Sequence, residues 1–208
     1  HLLDQEGFGV ARISAVFPIP GRDDAKHFVA EALARIVAGR ETSRLDVALR
    51  EESGLSYSIE TEIVPAADWG WMRFDTEVLP ENVGEVLRQM KHLFQELRES
   101  GIAESEFEAI RRGLVIESAQ GLDLTLEATE RLGELQRRQQ GPDSHHARAV
   151  AYSLLQASQL SELAQEVFKE GDGSWFVTGD ADVIREQLDS EEWILVTDTD
   201  AETLSNSP

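Results

Sequence analysis

Hydrophobic positions in this 208-residue chain change their period from segment to segment, and the changes mark out its elements. In FGVARISAVF (8–17) Ala11, Ile13, Ala15 and Phe17 alternate, and Val10 and Val16 on the opposite side predict a strand buried on both faces. Pro18, Pro20 and Gly21 are expected to end it. From Asp23 or Asp24 the period becomes helical, and Phe28, Val29, Leu33, Ile36 and Val37 predict a helix to about residue 37, closed by Gly39. A second helix, about 42–52, carries Leu45, Ala48 and Leu49 as its apolar stripe. Strict alternation returns at 55–64, where Leu55, Tyr57, Ile59 and Ile63 are set against Ser56, Ser58, Glu60 and Glu62. A further strand at 69–78 puts Met72, Phe74 and Val78 on one face, and the short Pro65–Asp68 connection predicts an antiparallel hairpin.

The middle of the chain is helical. Val83, Leu87, Met90, Phe94 and Leu97 repeat at helical spacing over 81–99, and Gly101 stops that helix. Acidic residues suit the first turn of the next, from Glu104 to about Gln120. Helices are expected at 123–139, 145–154 and 158–169. GSWFVTG (173–179) and EWILVT (192–197) read as short buried strands around a helix at 181–188. The order is β-α-α-β-β, a run of helices, then β-α-β. It predicts a single α+β domain over 1–208, a sheet with helices packed on one side.

Composition narrows the function. With 41% hydrophobic and 28% charged residues the balance is that of a globular domain. No apolar run approaches the roughly 18 residues that a membrane helix needs. HLLDQEGF, at the start, has neither the basic opening nor the apolar stretch of a leader. A soluble setting is expected, periplasmic or cytoplasmic if the source is bacterial, for a mature form or a piece of a longer chain. The net charge of −21 argues against nucleic acid and anionic membranes as partners. It leaves a strongly solvated surface, or a field that steers basic peptides or a basic subunit. Without cysteine there is no disulfide, thiolate metal site or cysteine nucleophile.

Motifs for stand-alone chemistry are missing. H-E-x-x-H, H-x-x-E-H, G-x-S-x-G, the P-loop and G-x-G-x-x-G do not occur. His27 stands four residues before Glu31, but no second histidine completes a metal set. His145 and His146 are adjacent and His92 is alone, so the histidines are read as surface or capping residues. Trp69 and Trp71, two apart on a strand, are read as sheet packing rather than a ligand platform. Chemistry performed by this chain alone is not expected.

The segment SRLDVALREESGLSY (43–57) points to a shared site instead. A helical pattern ends in Arg50, Gly54 stops it, and a strand begins with Tyr57, so a guanidinium and a phenol straddle one helix-to-strand joint and can be aimed at one cleft. A bland alternative stands beside this reading: Arg50 pairs with Glu51, Glu52 or another local acid, and Tyr57 packs beside Leu55 and Ile59. The segment resembles the second, zinc-free half of the insulinase and pitrilysin family of metallopeptidases, whose usual form is close to S-S-R-L-F-x-x-L-R-E-x-x-G-L-A-Y-S. FGVARISAVFPIPGRDDAKHF resembles that family's opening strand and turn into its first helix. LPENVGEVLRQM resembles the helix after its hairpin, and GIAESEFEAIRRGL its G-I-T-x-x-E-L-x-x-x-K-x-x-L element. The resemblance covers about residues 8–190.

The resemblance implies a mixed, mostly antiparallel sheet covered by helices on one side, in the manner of LuxS and the mitochondrial processing peptidases. It also implies a clamshell. A homologous unit, in the same polypeptide or a separate subunit, holds zinc through H-x-x-E-H and a distant glutamate. This unit supplies an arginine and a tyrosine across the cavity, and by motif match these are Arg50 and Tyr57, as substrate-binding and transition-state residues. No catalytic residue is expected in this chain alone. The helix matching the zinc helix is 24–37, where the metal positions fall near Ala30, Leu33 and Ala34; none is a ligand, so zinc is expected only in the partner. The implied function is the non-catalytic half of a zinc-dependent metalloendopeptidase, binding the peptide substrate and closing the chamber. The alternatives are a structural or assembly module of the same fold and a free-standing peptide-binding domain. The sequence departs from the family's usual form at Ala38-Gly39-Arg40, where G-G is common, at Ala103, where a threonine cap is common, and at Ser56, where the form has alanine.

Overall fold

The alternation read in residues 8–17 belongs to a strand in the middle of the fold. In the computed structural model, which describes residues 1–5, 9–39, 42–120, 144–169, 171–188 and 193–196, strand β2 (Ala11–Pro20) pairs antiparallel on both sides. Its neighbours are β4 (Trp69–Val78) and β5 (Ser174–Gly179). β4 pairs in turn with β3 (Ser56–Pro65) in the expected hairpin. β1 (Leu2–Asp4) runs parallel to both β5 and β6 (Leu195–Val196). Among the described residues this gives one mixed, mostly antiparallel sheet in the order β3-β4-β2-β5-β1-β6. β1 was not expected, since three residues are too few to show a period. Of the strand read at 192–197, the described residues 193–196 are strand at Leu195–Val196.

Both prolines expected to end β2 lie inside it. β5 leaves β2 at Val16, so Pro18 and Pro20 stand where β4 alone is paired. A missing N–H directed to the open side removes no ladder bond.

Helices cover one face. They are α1 (His27–Val37), α2 (Val83–Ser100), α3 (Glu104–Gln120), α4 (Ser144–Leu154), α5 (Ala157–Val167) and the single turn α6 (Ala181–Ile184). The helix expected at 123–139 lies outside the described residues. Ile13, Ala15 and Phe17 of β2 meet Leu33 and Ile36 of α1, Met90 and Leu97 of α2 and Leu160 of α5 in one buried core. Its aromatic centre is Phe17, with Phe94 and Phe168 each 4.9 Å away and edge-on. Burying side chains of this size stabilises by about 1.5–3 kcal/mol each, before the entropy of ordering them. The opposite face carries charge. Arg12 lies 3.8 Å from Glu77 and 4.0 Å from Glu60, and Arg73 lies 2.7 Å from Glu62 and 2.8 Å from Asp75. Asp75 is buried, but the other side chains here are about half exposed, and pairs of that kind add little stability; they keep the face wettable.

Candidate functional site

Segment 43–57 is anchored residue by residue. Ser43 and Asp46 are buried, and Asp46 accepts hydrogen bonds from the Ser43 hydroxyl and from the Gly39 N–H at 3.1 Å, which sets the turn after α1. Arg44 reaches to α3. Its Nε and Nη2 donate to the two Glu106 oxygens at 2.9 and 3.0 Å, and Nη2 donates to the Gly101 carbonyl at 3.1 Å. A forked, charge-assisted pair of this kind fixes direction as well as distance. Leu45 and Leu49 sit in the core.

Held at these points, the helix expected at 42–52 is not a regular one. Asp46–Glu52 is π-helical, and the Ser53 N–H donates five residues back, to Ala48, at 3.3 Å. Single π turns recur where a side chain must be re-aimed. The corner that follows is tight. Ser53 Oγ lies 2.8 and 3.1 Å from the Ala48 and Leu49 carbonyls, and the Leu55 N–H donates to Leu49 at 2.8 Å. Gly54 takes φ +63 between them, a left-handed value that a side chain disfavours.

The structure places both candidate residues at the surface on either side of this corner. Arg50 is exposed, and among the described residues no acid pairs with it, Glu51 and Glu52 included. Tyr57 sits at a β-bulge. Ser56 pairs with Val78 and Ser58 with Glu77, neighbours on β4, so Tyr57 is the extra residue of β3. The clean alternation read at 55–64 is thereby corrected. Ile59, Thr61 and Ile63 lie opposite Thr76, Phe74 and Met72 on the helix-covered face, whereas Tyr57, on the sheet's edge strand, is 63% exposed. Ser56 and Ser58 fit either face of a sheet, so the hydrophobic pattern could not register the slip.

Neither residue lines the cleft of about 550 Å³ that opens between α1, β3, α3 and α4. Arg35 and Glu117 approach to 3.5 Å there. Beside them Arg148 Nη2 donates to both Glu31 oxygens at 3.0 Å and to the Tyr152 hydroxyl at 2.8 Å, and the Tyr152 hydroxyl donates to Glu31. His27 Nε2 lies 3.5 Å from the same carboxylate. Burial pushes the Glu31 carboxyl up, but the His27 imidazole, the Arg148 charge and the Tyr152 hydroxyl outweigh it and hold it at about 2. Burial, with the Glu31 charge, pushes the Tyr152 phenol well above its ordinary value. Sequence reading missed this cluster because 117 residues separate Glu31 from Arg148. The i, i+4 spacing of His27 and Glu31 was its one visible sign. His27, read as a surface or capping residue, is buried.

The described residues offer zinc no donor set. At the positions the resemblance aligns with the metal ligands, Ala30 and Leu33 are wholly buried and Ala34 lends only a methyl to the cleft wall. Among the described residues no three His, Asp or Glu side chains stand together as a metal site would need. Trp69 and Trp71 stack on one another, with ring centres 5.1 Å apart, and Trp69 remains 56% exposed.

Comparison with known proteins places this architecture. The sequence profile of the peptidase M16 inactive domain matches residues 3–114. An uncharacterized zinc protease of Mycobacterium tuberculosis is 27% identical over 146 residues, which cover 68% of this chain and 31% of the mycobacterial one. The chain thus spans about a third of the length of that curated relative. The inactive peptidase domain of a zinc protease from Bordetella parapertussis superposes with a TM-score of 0.69 at 14% identity, covering 81% of this chain and 92% of that one. A chain of complex III from Candida albicans superposes with a TM-score of 0.75 at 15% identity, covering 92% and 47%.

Proposed function

The chain belongs to the peptidase M16 inactive domain family, and from that premise we propose that it is the non-catalytic half of a zinc-dependent metalloendopeptidase. On this reading residues 1–208 form a single unit facing a homologous zinc-bearing unit, in the same polypeptide or in a separate subunit. Its tasks are to bind the peptide substrate and to close the chamber.

The observation that supports the reading is the juxtaposition, on two irregular elements, of an exposed phenol and a guanidinium that no acid among the described residues pairs with. Arg50 leaves a π turn and Tyr57 a β-bulge, one tight corner apart. Left to regular geometry, Tyr57 would share the helix-covered face with Ile59. When bound by the partner, zinc would supply a polarised carbonyl and an activated water. Peptide hydrolysis then builds negative charge on the carbonyl oxygen. The Tyr57 phenol is suited to donate to that oxygen, and the planar Arg50 fork to hold a neighbouring backbone carbonyl or carboxylate. The test is to assay peptidase activity of the chain alone and mixed with a zinc-bearing unit. Activity confined to the mixture, and reduced by Tyr57→Phe, supports the role; a mixture indifferent to Tyr57→Phe leaves this face without one.

A structural or assembly module of the same fold is the second reading. The likeness to a chain of complex III favours it. A module of that kind would tolerate loss of both Arg50 and Tyr57 while keeping its partner.

A further inference from the structure

The bulge that turns Tyr57 outward lies on an edge strand. Among the described residues only β4 pairs with β3, and none on its outer side holds the register; edge strands slip unless something pins them. Two hydroxyls do so here. Ser56 Oγ donates to the Ser58 carbonyl at 2.9 Å, spanning the extra residue. The same Oγ lies 2.7 Å from Thr76 Oγ1. A serine hydroxyl has one proton, already given to Ser58, so the Thr76 hydroxyl is the donor in this second bond. Thr76 is almost wholly buried and Ser56 nearly so; each hydroxyl left alone there would lose its hydrogen bond without gaining water. The relay Thr76 to Ser56 to the Ser58 carbonyl therefore ties the strand on both sides of Tyr57 to β4 near that strand's C-terminal end.

We propose that Ser56 and Thr76 are positioning residues that hold the bulge, and through it the outward direction of the Tyr57 phenol. This rests on the reading of Tyr57 as a substrate-facing group. The alanine of the family's usual form can make neither hydrogen bond, so this tie is a device of this chain's own, added where it departs from that form.

The chain has two tyrosines, and Tyr152 is buried in the cluster with Glu31. Fluorotyrosine labelling of the 208-residue chain thus gives two ring resonances, assigned by Tyr57→Phe, with Tyr152 as an internal control. Ser56→Ala and Thr76→Val are each expected to shift and broaden the Tyr57 resonance while that of Tyr152 stays in place. Thr76→Ser, which keeps the donor, should restore the parent position. In the mixture with a zinc-bearing unit, Ser56→Ala should lower kcat several-fold with KM little changed. An unmoved Tyr57 resonance in both Ser56→Ala and Thr76→Val overturns the inference, as does a Tyr152 resonance that moves equally, since the pair would then serve only the fold at large. Turnover indifferent to Tyr57→Phe would instead remove the functional reading and leave the resonance result standing.

Discussion

At the scale of single residues, the two candidate groups should fail differently when altered. Tyr57→Phe removes one donor and keeps a ring of the same shape at an exposed position. If the phenol serves the developing oxyanion, kcat in the complete enzyme should drop by roughly 10²-fold with KM nearly constant. Arg50→Lys keeps the charge but loses the fork, so KM should rise more than kcat falls; steady-state kinetics of the two variants separates these outcomes. Glu31 carries a different prediction, about stability. Its folded pKa of about 2 lies below the roughly 4.3 of an unfolded glutamate. The contribution is therefore fully present above about pH 4.3 and is lost as pH falls through 2, on the order of 3 kcal/mol in total. Urea midpoints taken at stepped pH should fall across that window, and Glu31→Gln should both lower the neutral-pH midpoint and flatten the acid limb.

At the scale of elements, two glycines separate backbone strain from close approach. Gly54 has φ +63 and open space where a side chain would go. Gly54→Ala should cost only the left-handed penalty, roughly 1 kcal/mol. Gly21 has an ordinary dihedral but no room: a Cβ there would lie 2.3 Å from the Ala67 carbonyl oxygen and 2.4 Å from the Trp69 N–H nitrogen, both backbone atoms of the β3–β4 turn. Gly21→Ala should force the hairpin aside and cost about 1–3 kcal/mol or more. Thermal melts of the two variants compare the effects, and a milder loss for Gly21→Ala than for Gly54→Ala would contradict this packing. Most elements were legible in the periodicity of apolar residues: α1, α2, α3, α4, α5 and the β3–β4 hairpin all lie where their spacing put them. The departures are the π turn at Asp46–Glu52 and the bulge at Tyr57. Both insert a single residue into a regular repeat among residues that fit either register.

At the scale of the whole molecule, a net charge of −21 dominates. Several acids are answered locally, as Glu62 is by Arg73 and Glu106 by Arg44. The excess repels itself in the compact state more than in the expanded one. Raising salt from low millimolar to about 0.15 M brings the screening length down to about 8 Å, so the melting temperature should climb over that range; a flat or falling curve would mean that the ion pairs lost to screening outweigh the repulsion relieved. The α+β class, the order of the long elements and the Arg50–Tyr57 motif could be read along the chain, because each depends on spacings within one stretch of it. Tertiary structure alone decided which face of the sheet is covered, where Tyr57 points, and that Glu31, Arg148 and Tyr152 share one cleft. It also decided that β1 is a strand, since three residues become one only between β5 and β6. The physical reason is the same in each case. Burial and hydrogen-bond partners supplied by residues scores of positions away set these features, and no local period records such partners.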